Sequence, residues 1–167
     1  ELEYEVIVRF LGNKKEKINI IFNEYTSLIE KILKILQQSE HIISEYEIRQ
    51  MKGKYKSLTK LFNFRQSMPF SKTLETKNII RLYSEEYEDN VNIRKHYCVT
   101  EKADGERNLM YIDDNGHVFL INRQDLIRKT GIIVKNFPNS LLDGEYVTKL
   151  KGGYEVQLFL IFDLYFM

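Results

Sequence analysis

A chain of 167 residues with 43% hydrophobic and 29% charged side chains is sized for about one ordinary domain and is too apolar to be disordered by composition. Its 25 basic and 24 acidic residues leave a formal net charge of +1, which excludes a whole-surface pull toward nucleic acid or membrane, so RNA contact must come from a local patch. One cysteine, Cys98, excludes a disulfide framework, argues against a zinc site and fits a reducing compartment.

Residues 1–10 open in strict alternation. Leu2, Tyr4, Val6, Val8 and Phe10 share one face, and Glu1, Glu3, Glu5, Ile7 and Arg9 share the other, which predicts a strand. Gly12-Asn13 with Lys14 and Lys15 predicts a turn, and Ile18, Ile20 and Phe22 a returning strand. The spacing predicts a packing helix over 24–38, with Leu28, Ile29, Ile32, Leu33, Ile35 and Leu36 as its apolar stripe. Asn23 is the expected N-cap, with Ser27 and Glu30 as an alternative capping box. Residues 39–55 are polar and mixed and read as a linker or a solvated helix. The basic cluster Lys52, Lys54 and Lys56 reads as a solvated face or as a contact to an RNA backbone. Gly53 and Pro69 bracket a boundary between two units.

From Tyr97 the texture changes to short strands and tight turns. Strands are predicted at 97–100, 108–112 and 117–121, the last two joined by the Asp113-Asp114-Asn115-Gly116 hairpin turn. Leu141-Leu142 and Tyr146-Val147 flank Asp143-Gly144-Glu145, Gly152-Gly153 makes a further turn, and 156–162 is a buried-type strand ending at Asp163. Few long helices intervene, so this half is expected to be an antiparallel-rich α+β domain. The run 156–167 is too short to cross a bilayer, and no signal peptide opens the chain. The first residue is Glu1 and the last lies inside an apolar run, so both ends read as cut from something longer.

The string that carries chemistry is Glu101-Lys102-Ala103-Asp104-Gly105-Glu106-Arg107. It places Lys102 at a strand-end turn, for which Asp104 and Gly105 are suited. A lysine near an arginine or a metal ion is the arrangement that frees an amine lone pair, because neighbouring positive charge lowers its pKa. The string also reads as a charged hairpin turn. It is similar to the lysine motif of covalent nucleotidyltransferases, the mRNA capping guanylyltransferases and ATP-dependent DNA and RNA ligases. The resemblance implies that Lys102 attacks the α-phosphate of a nucleoside triphosphate, pyrophosphate leaves, and a lysyl-N–NMP forms. It also implies nucleotide contacts by Asp104, Gly105 and Arg107. Phe119-Leu120-Ile121-Asn122-Arg123 resembles the family's ribose-binding segment, with Arg123 in that role and Phe119 as a base-stacking platform or a core residue. Leu141-Leu142-Asp143-Gly144-Glu145-Tyr146-Val147 resembles its Asp-Gly-Glu segment, which implies that Glu145 lies near the ribose and the metal. Residues 160–166 look like its next strand, with Asp163 a nucleotide-pocket residue or a strand-end cap. Residues 68–74 loosely resemble its proline-containing segment, and also read as a Pro-fixed loop. The family's later Glu/Asp-Gly segment, its two-lysine strand and its OB-fold domain do not follow, so the core is expected to be truncated and, taken alone, a poor catalyst.

Glu1, Glu3 and Glu5 at alternate positions lie about 6–7 Å apart on a strand and can converge on Mg²⁺ or Mn²⁺. They also read as solubilising charges on an edge strand. The pattern is similar to the alternating-glutamate strand of tunnel-fold RNA triphosphatases, which implies a metal site that removes the γ-phosphate of an RNA 5′ end. Large DNA viruses of eukaryotes fuse these activities in this order, so the chain looks like part of a viral-type capping enzyme. The expected fold is therefore α+β: the end of a β-tunnel triphosphatase domain with a linker helix over 1–55, then a truncated nucleotidyltransferase core over 56–167. The expected activity is GMP transfer from GTP through Lys102 to diphosphate-ended RNA, with Mg²⁺ or Mn²⁺. The expected partners are the RNA 5′ end and a cap methyltransferase domain or subunit, with no membrane, in the cytoplasm, a viral factory or the virion. An ATP-dependent polynucleotide ligase and an inactive RNA-binding remnant are the competing readings.

Overall fold

The computed structural model describes residues 6–9, 11, 17–61, 63–64, 68, 73–79, 93 and 97–167. Two helices, α1 (Ile18–Gln37) and α2 (Glu45–Thr59), and a short 3₁₀ turn (Thr76–Ile79) precede five strands. These are β1 (Glu106–Ile112), β2 (His117–Asn122), β3 (Ile127–Ile133), β4 (Ser140–Lys149) and β5 (Glu155–Phe166). They form one five-stranded sheet in the order β3-β2-β1-β4-β5, and every neighbouring pair is antiparallel. The expected α+β class with antiparallel strands is what the described residues form. No helix among them is long and apolar enough to cross a membrane.

The sheet has one strongly apolar face. Leu109 pairs with Ile121, Tyr111 with Phe119 and Leu141, and Ile121 with Ile127, so alternation turns these six side chains the same way. They are buried together with Ile43, Met51, Tyr55, Phe64 and Met68. Tyr55 meets Phe64 edge-on at 4.5 Å and Tyr111 at 5.8 Å, a geometry that favours aromatic pairs beyond their buried area. This core draws residues from both sides of position 55.

α2 is polar yet packs, because three of its positions, Met51, Tyr55 and Thr59, recur at helical spacing and are buried. It starts at a capping box: the Glu47 N–H donates to Ser44 Oγ and the Ser44 N–H to the Glu47 carboxylate. Lys129 of β3 donates to Glu47 at 2.7 Å, and Lys54 bonds Asp114 in the β1–β2 turn. The Lys129 hydrogen bond first, then the Ser44 N–H, hold the Glu47 carboxyl down at about 2. The segment read as a linker or solvated helix is thus a core element, and Gly53 lies inside it.

Other expectations change too. Ile18, Ile20 and Phe22 belong to α1, not to a strand, since Ile18, Ile21, Phe22 and Tyr25 extend the 3.6-residue stripe upstream. Asn23, Ser27 and Glu30 are therefore interior, and Lys17 is the N-cap. α1 buries none of its residues. Residues 97–100 form no strand and are exposed, Val99 at 99%. β3 was not foreseen, and β4 runs unbroken through Asp143-Gly144-Glu145. β5 is longer than expected and mostly exposed, being one of the two outer strands of the described sheet, and Asp163 lies within it rather than at its end. The hairpin at 113–116 is present, with Gly116 at φ +84°, a conformation that glycine adopts without strain. Residues 6–9 carry no strand pairing. Glu1, Glu3, Glu5, the 12–13 turn and Pro69 lie outside the described residues, so the triphosphatase strand is not described.

Candidate functional site

Residues 101–105 run into β1, and the exposed Lys102 sits on this approach, its Nζ 3.4 Å from the Ala103 carbonyl. Gly105 fastens the approach to β4. Its N–H donates to Glu145 Oε1 at 3.2 Å, and a Cβ at this position would lie 2.4 Å from the Tyr146 carbonyl oxygen. Only glycine lets the two backbones come this close. β1 and β4 then pair with Glu106 opposite Tyr146 and Arg107 opposite Glu145. Directly opposed residues share a face, so Arg107 and Glu145 stand side by side beyond the buried end of the apolar face.

Arg107 is committed to Asp143. Its Nε donates to Oδ1 at 3.0 Å and its Nη2 to Oδ2, the side-on bidentate geometry of a strong ion pair. Asp143 is fully buried and also accepts the Tyr165 hydroxyl at 2.6 Å. The Phe162 ring lies 5.6 Å from the guanidinium. The hydrogen bond to Asp143 raises the Arg107 pKa above its usual value. Burial, then the Asp143 hydrogen bond and charge, raise that of Tyr165.

The structure thus brings Gly105, Arg107 and Glu145 together at the Lys102 end of the sheet. Asn122 is paired with Asn108, so Arg123, the next residue, lies at the same end. Asp104 is exposed on the approach. Asp163 opposes Asp143 in the ladder, and its carboxylate accepts the Leu164 N–H at 2.8 Å. Phe119 does not belong to the site: it is buried and stacked on Tyr111 at 6.4 Å, in the core under α2, so it offers no platform for a base. The reading from sequence missed Tyr165 and the pairing of Asp143. Asp143 lay in a recognised segment, but nothing in a string of apolar and aromatic residues marked Tyr165.

Residues 86–167 match the family described as mRNA capping enzyme, catalytic domain. The whole chain, at 99% coverage, is 32% identical over 169 aligned residues to a protein named "Probable mRNA-capping enzyme" from Acanthamoeba polyphaga mimivirus. The matched segment is similar to the catalytic domain of mRNA capping enzymes, and the chain as a whole to a viral protein of that name. The chain spans 12% of the length of that relative. The matched catalytic-domain segment contains every site residue from Lys102 to Asp163.

No three His, Cys, Asp or Glu side chains gather as a metal cage among the described residues. A cavity of about 640 Å³ opens elsewhere. It is lined by Lys34, His41, Met110, Leu120, Arg128 and Tyr146, among others. Met110, Leu120 and Tyr146 alternate with the site-facing residues, so this cavity is on the other side of the sheet from Arg107 and Glu145. There Glu106 accepts from Asn122 at 2.9 Å and from Arg128 at 2.8 Å. Burial opposes its ionisation, but the hydrogen bonds from Asn122, Asn108 and Arg128 with the Arg128 charge prevail and lower its pKa.

Proposed function

We propose that these residues form the lysine side of an mRNA guanylyltransferase. The observation that carries this reading is the Gly105 N–H to Glu145 bond, which ties the Lys102 approach to the carboxylate strand with Arg107 beside it. In the proposed step the neutral Lys102 amine attacks the α-phosphorus of GTP. A P–N bond forms, the bond to the bridging oxygen breaks with its electron pair going to pyrophosphate, and the amine loses its proton. The second step returns GMP to the terminal phosphate of a diphosphate-ended RNA and frees Lys102. Arg107 and Arg123 lie at the end of the sheet where the triphosphate and ribose would lie. The chemistry is mainly positioning and charge stabilisation.

The described residues fit a cation held largely by substrate phosphates, since Mg²⁺ is commonly bound through one or two carboxylates plus phosphate oxygens. Glu145 is the carboxylate here, and Mg²⁺ or Mn²⁺ would supply neutralisation of charge on the phosphates. The alternating Glu1, Glu3 and Glu5 support a fused RNA 5′-triphosphatase, whose product is the diphosphate end that the transfer needs.

The test is incubation of the full-length protein with α-labelled GTP or ATP and Mg²⁺ or Mn²⁺, followed by mass-spectrometric mapping. A GMP adduct on Lys102, absent in Lys102→Arg because a guanidinium stays protonated, is the expected result. An AMP adduct would make the protein a ligase, and no adduct would leave an RNA-binding role.

A further inference from the structure

We propose that Tyr165 is a positioning residue for nucleotidyl transfer, fixing the Arg107 guanidinium through Asp143. The inference deepens the guanylyltransferase reading and rests on it for the reaction, but the clamp itself is geometric. β5 pairs with β4 through an interrupted register. Leu141 opposes Phe166 and Leu142 opposes Leu164, so Tyr165 is passed over. Asp143 opposes Asp163 and Gly144 opposes Ile161, so Phe162 is passed over. A bulged residue is released from strict alternation, and its side chain is re-aimed. Both released side chains go to the same place. The Tyr165 hydroxyl donates to Asp143 Oδ2 at 2.6 Å, and the Phe162 ring lies 5.6 Å from the Arg107 guanidinium carbon.

The buried Asp143 carboxylate thereby has both oxygens engaged, one by Arg107 Nε and the other by Arg107 Nη2 and the Tyr165 hydroxyl. A buried carboxylate without those donors is costly, so the arrangement is held from both sides. Arginine is a long side chain with large rotamer entropy. Fixing its plane in advance removes a reorganisation that the transition state would otherwise require. The chain of contacts ends near the nucleophile. Arg107 is paired with Glu145, Glu145 holds Gly105, and Lys102 lies three residues before Gly105.

The experiment compares full-length wild type with Tyr165→Phe, which keeps the ring and removes the donor. Three quantities are measured: the rate of GMP–lysine formation against GTP concentration, the rate of Arg107 modification by phenylglyoxal read by mass spectrometry, and the melting temperature. The clamp predicts a lower melting temperature, because the buried Asp143 loses a donor, together with faster Arg107 modification and about a tenfold loss in kcat with little change in KM, the signature of an interaction made in the transition state. Equal kcat and equal Arg107 reactivity in the two proteins would overturn the proposal, as would a loss confined to KM. Should wild type form no GMP adduct, the guanylyltransferase reading fails by itself. The Arg107 reactivity then decides the clamp alone, with unchanged reactivity overturning it and faster modification upholding the Tyr165–Asp143 hold on Arg107.

Discussion

α1 and α2 follow one another in the chain and differ in what they bury. α1 is 20 residues long with a continuous apolar stripe, and none of it is buried. Ile35 and Leu36 are 76% and 60% exposed. α2 has 15 residues, is mostly polar, and sinks Met51, Tyr55 and Thr59 into the core. Burial therefore follows position over the sheet rather than apolar content. A few side chains at helical spacing above Leu109, Tyr111 and Leu141 anchor α2, while a wider stripe that is at most half-buried anchors little. α1 is tied at Tyr25, whose hydroxyl donates to the Val8 carbonyl, and at its end, where the Gln37 amide bonds both backbone groups of Ile43 and Ser39 Oγ donates to the Lys129 carbonyl.

The most severe way to break this contrast is Tyr55→Ala. Tyr55 is fully buried and touches two aromatic rings, and losing a large aromatic from a core costs about 3–5 kcal/mol. Urea unfolding followed by circular dichroism would show it as a lowered midpoint at constant slope. A midpoint shift no larger than for surface changes in α1 would mean that α2 is not the anchor.

Gly105→Ala moves the contrast to the site. The added Cβ would meet the Tyr146 carbonyl oxygen at 2.4 Å, and backbone cannot yield as a flexible side chain can. Overpacking of this kind costs about 1–3 kcal/mol. It should also push the Lys102 approach from Glu145, so GMP–lysine formation should fall further than stability does. Normal adduct formation would show that the Gly105–Glu145 bond does not position Lys102.

Ser44→Ala removes the capping hydroxyl of α2 and should cost about 1 kcal/mol, measured in the same unfolding assay. Ser44→Asp, another good cap, should recover most of it. No such cap exists to remove at α1, whose N-cap Lys17 makes no side-chain cap bond.

How far these features were legible in sequence follows their physics. The β1–β2 hairpin was readable because the Asp-Asp-Asn-Gly turn and alternation are local. β4 was readable as apolar pairs around Asp143-Gly144-Glu145, though not as one strand. β3 was missed because Arg128, Lys129 and Thr130 break its apolar pattern, and they make sense only through partners distant in sequence, such as Glu47 and Glu106. α2 was misread because composition outweighed three buried positions. Lys102, Gly105, Arg107 and Glu145 were singled out through resemblance, and the last three lie together in the structure. The pairing of Arg107 with Asp143 and Tyr165 was not, since bulges in β5 set it and register cannot be read from one strand.

Glu47 gives a pH test of the α2 anchor. Its folded pKa, about 2, lies below the ordinary 4.5, so its ionised form stabilises the fold. That contribution is fully present above about pH 4.5 and is lost as pH falls toward about 2. The side chain is 41% exposed, so solvent screening leaves about 1 kcal/mol. Glu47→Gln should flatten the stability curve across that window and leave its slope at neutral pH alone. An unchanged acid limb would show that the Lys129 contact contributes nothing.

The smallest effect is expected at Leu36→Gln in α1. Leucine and glutamine have nearly equal helix propensities, so the substitution changes burial and little else. With 60% of Leu36 exposed, little apolar area returns to water on unfolding, and surface changes away from special features usually stay within about 0.5 kcal/mol. The urea midpoint of the 167-residue chain should therefore not move measurably. Loss of an exposed leucine should also leave the cooperative slope unchanged, because that slope follows the surface uncovered on unfolding. A cost of about 2 kcal/mol, the order expected for a buried leucine, would mean that the α1 stripe is covered in solution. The difference between the two helices would then lie in which surface each one meets, not in whether it meets one.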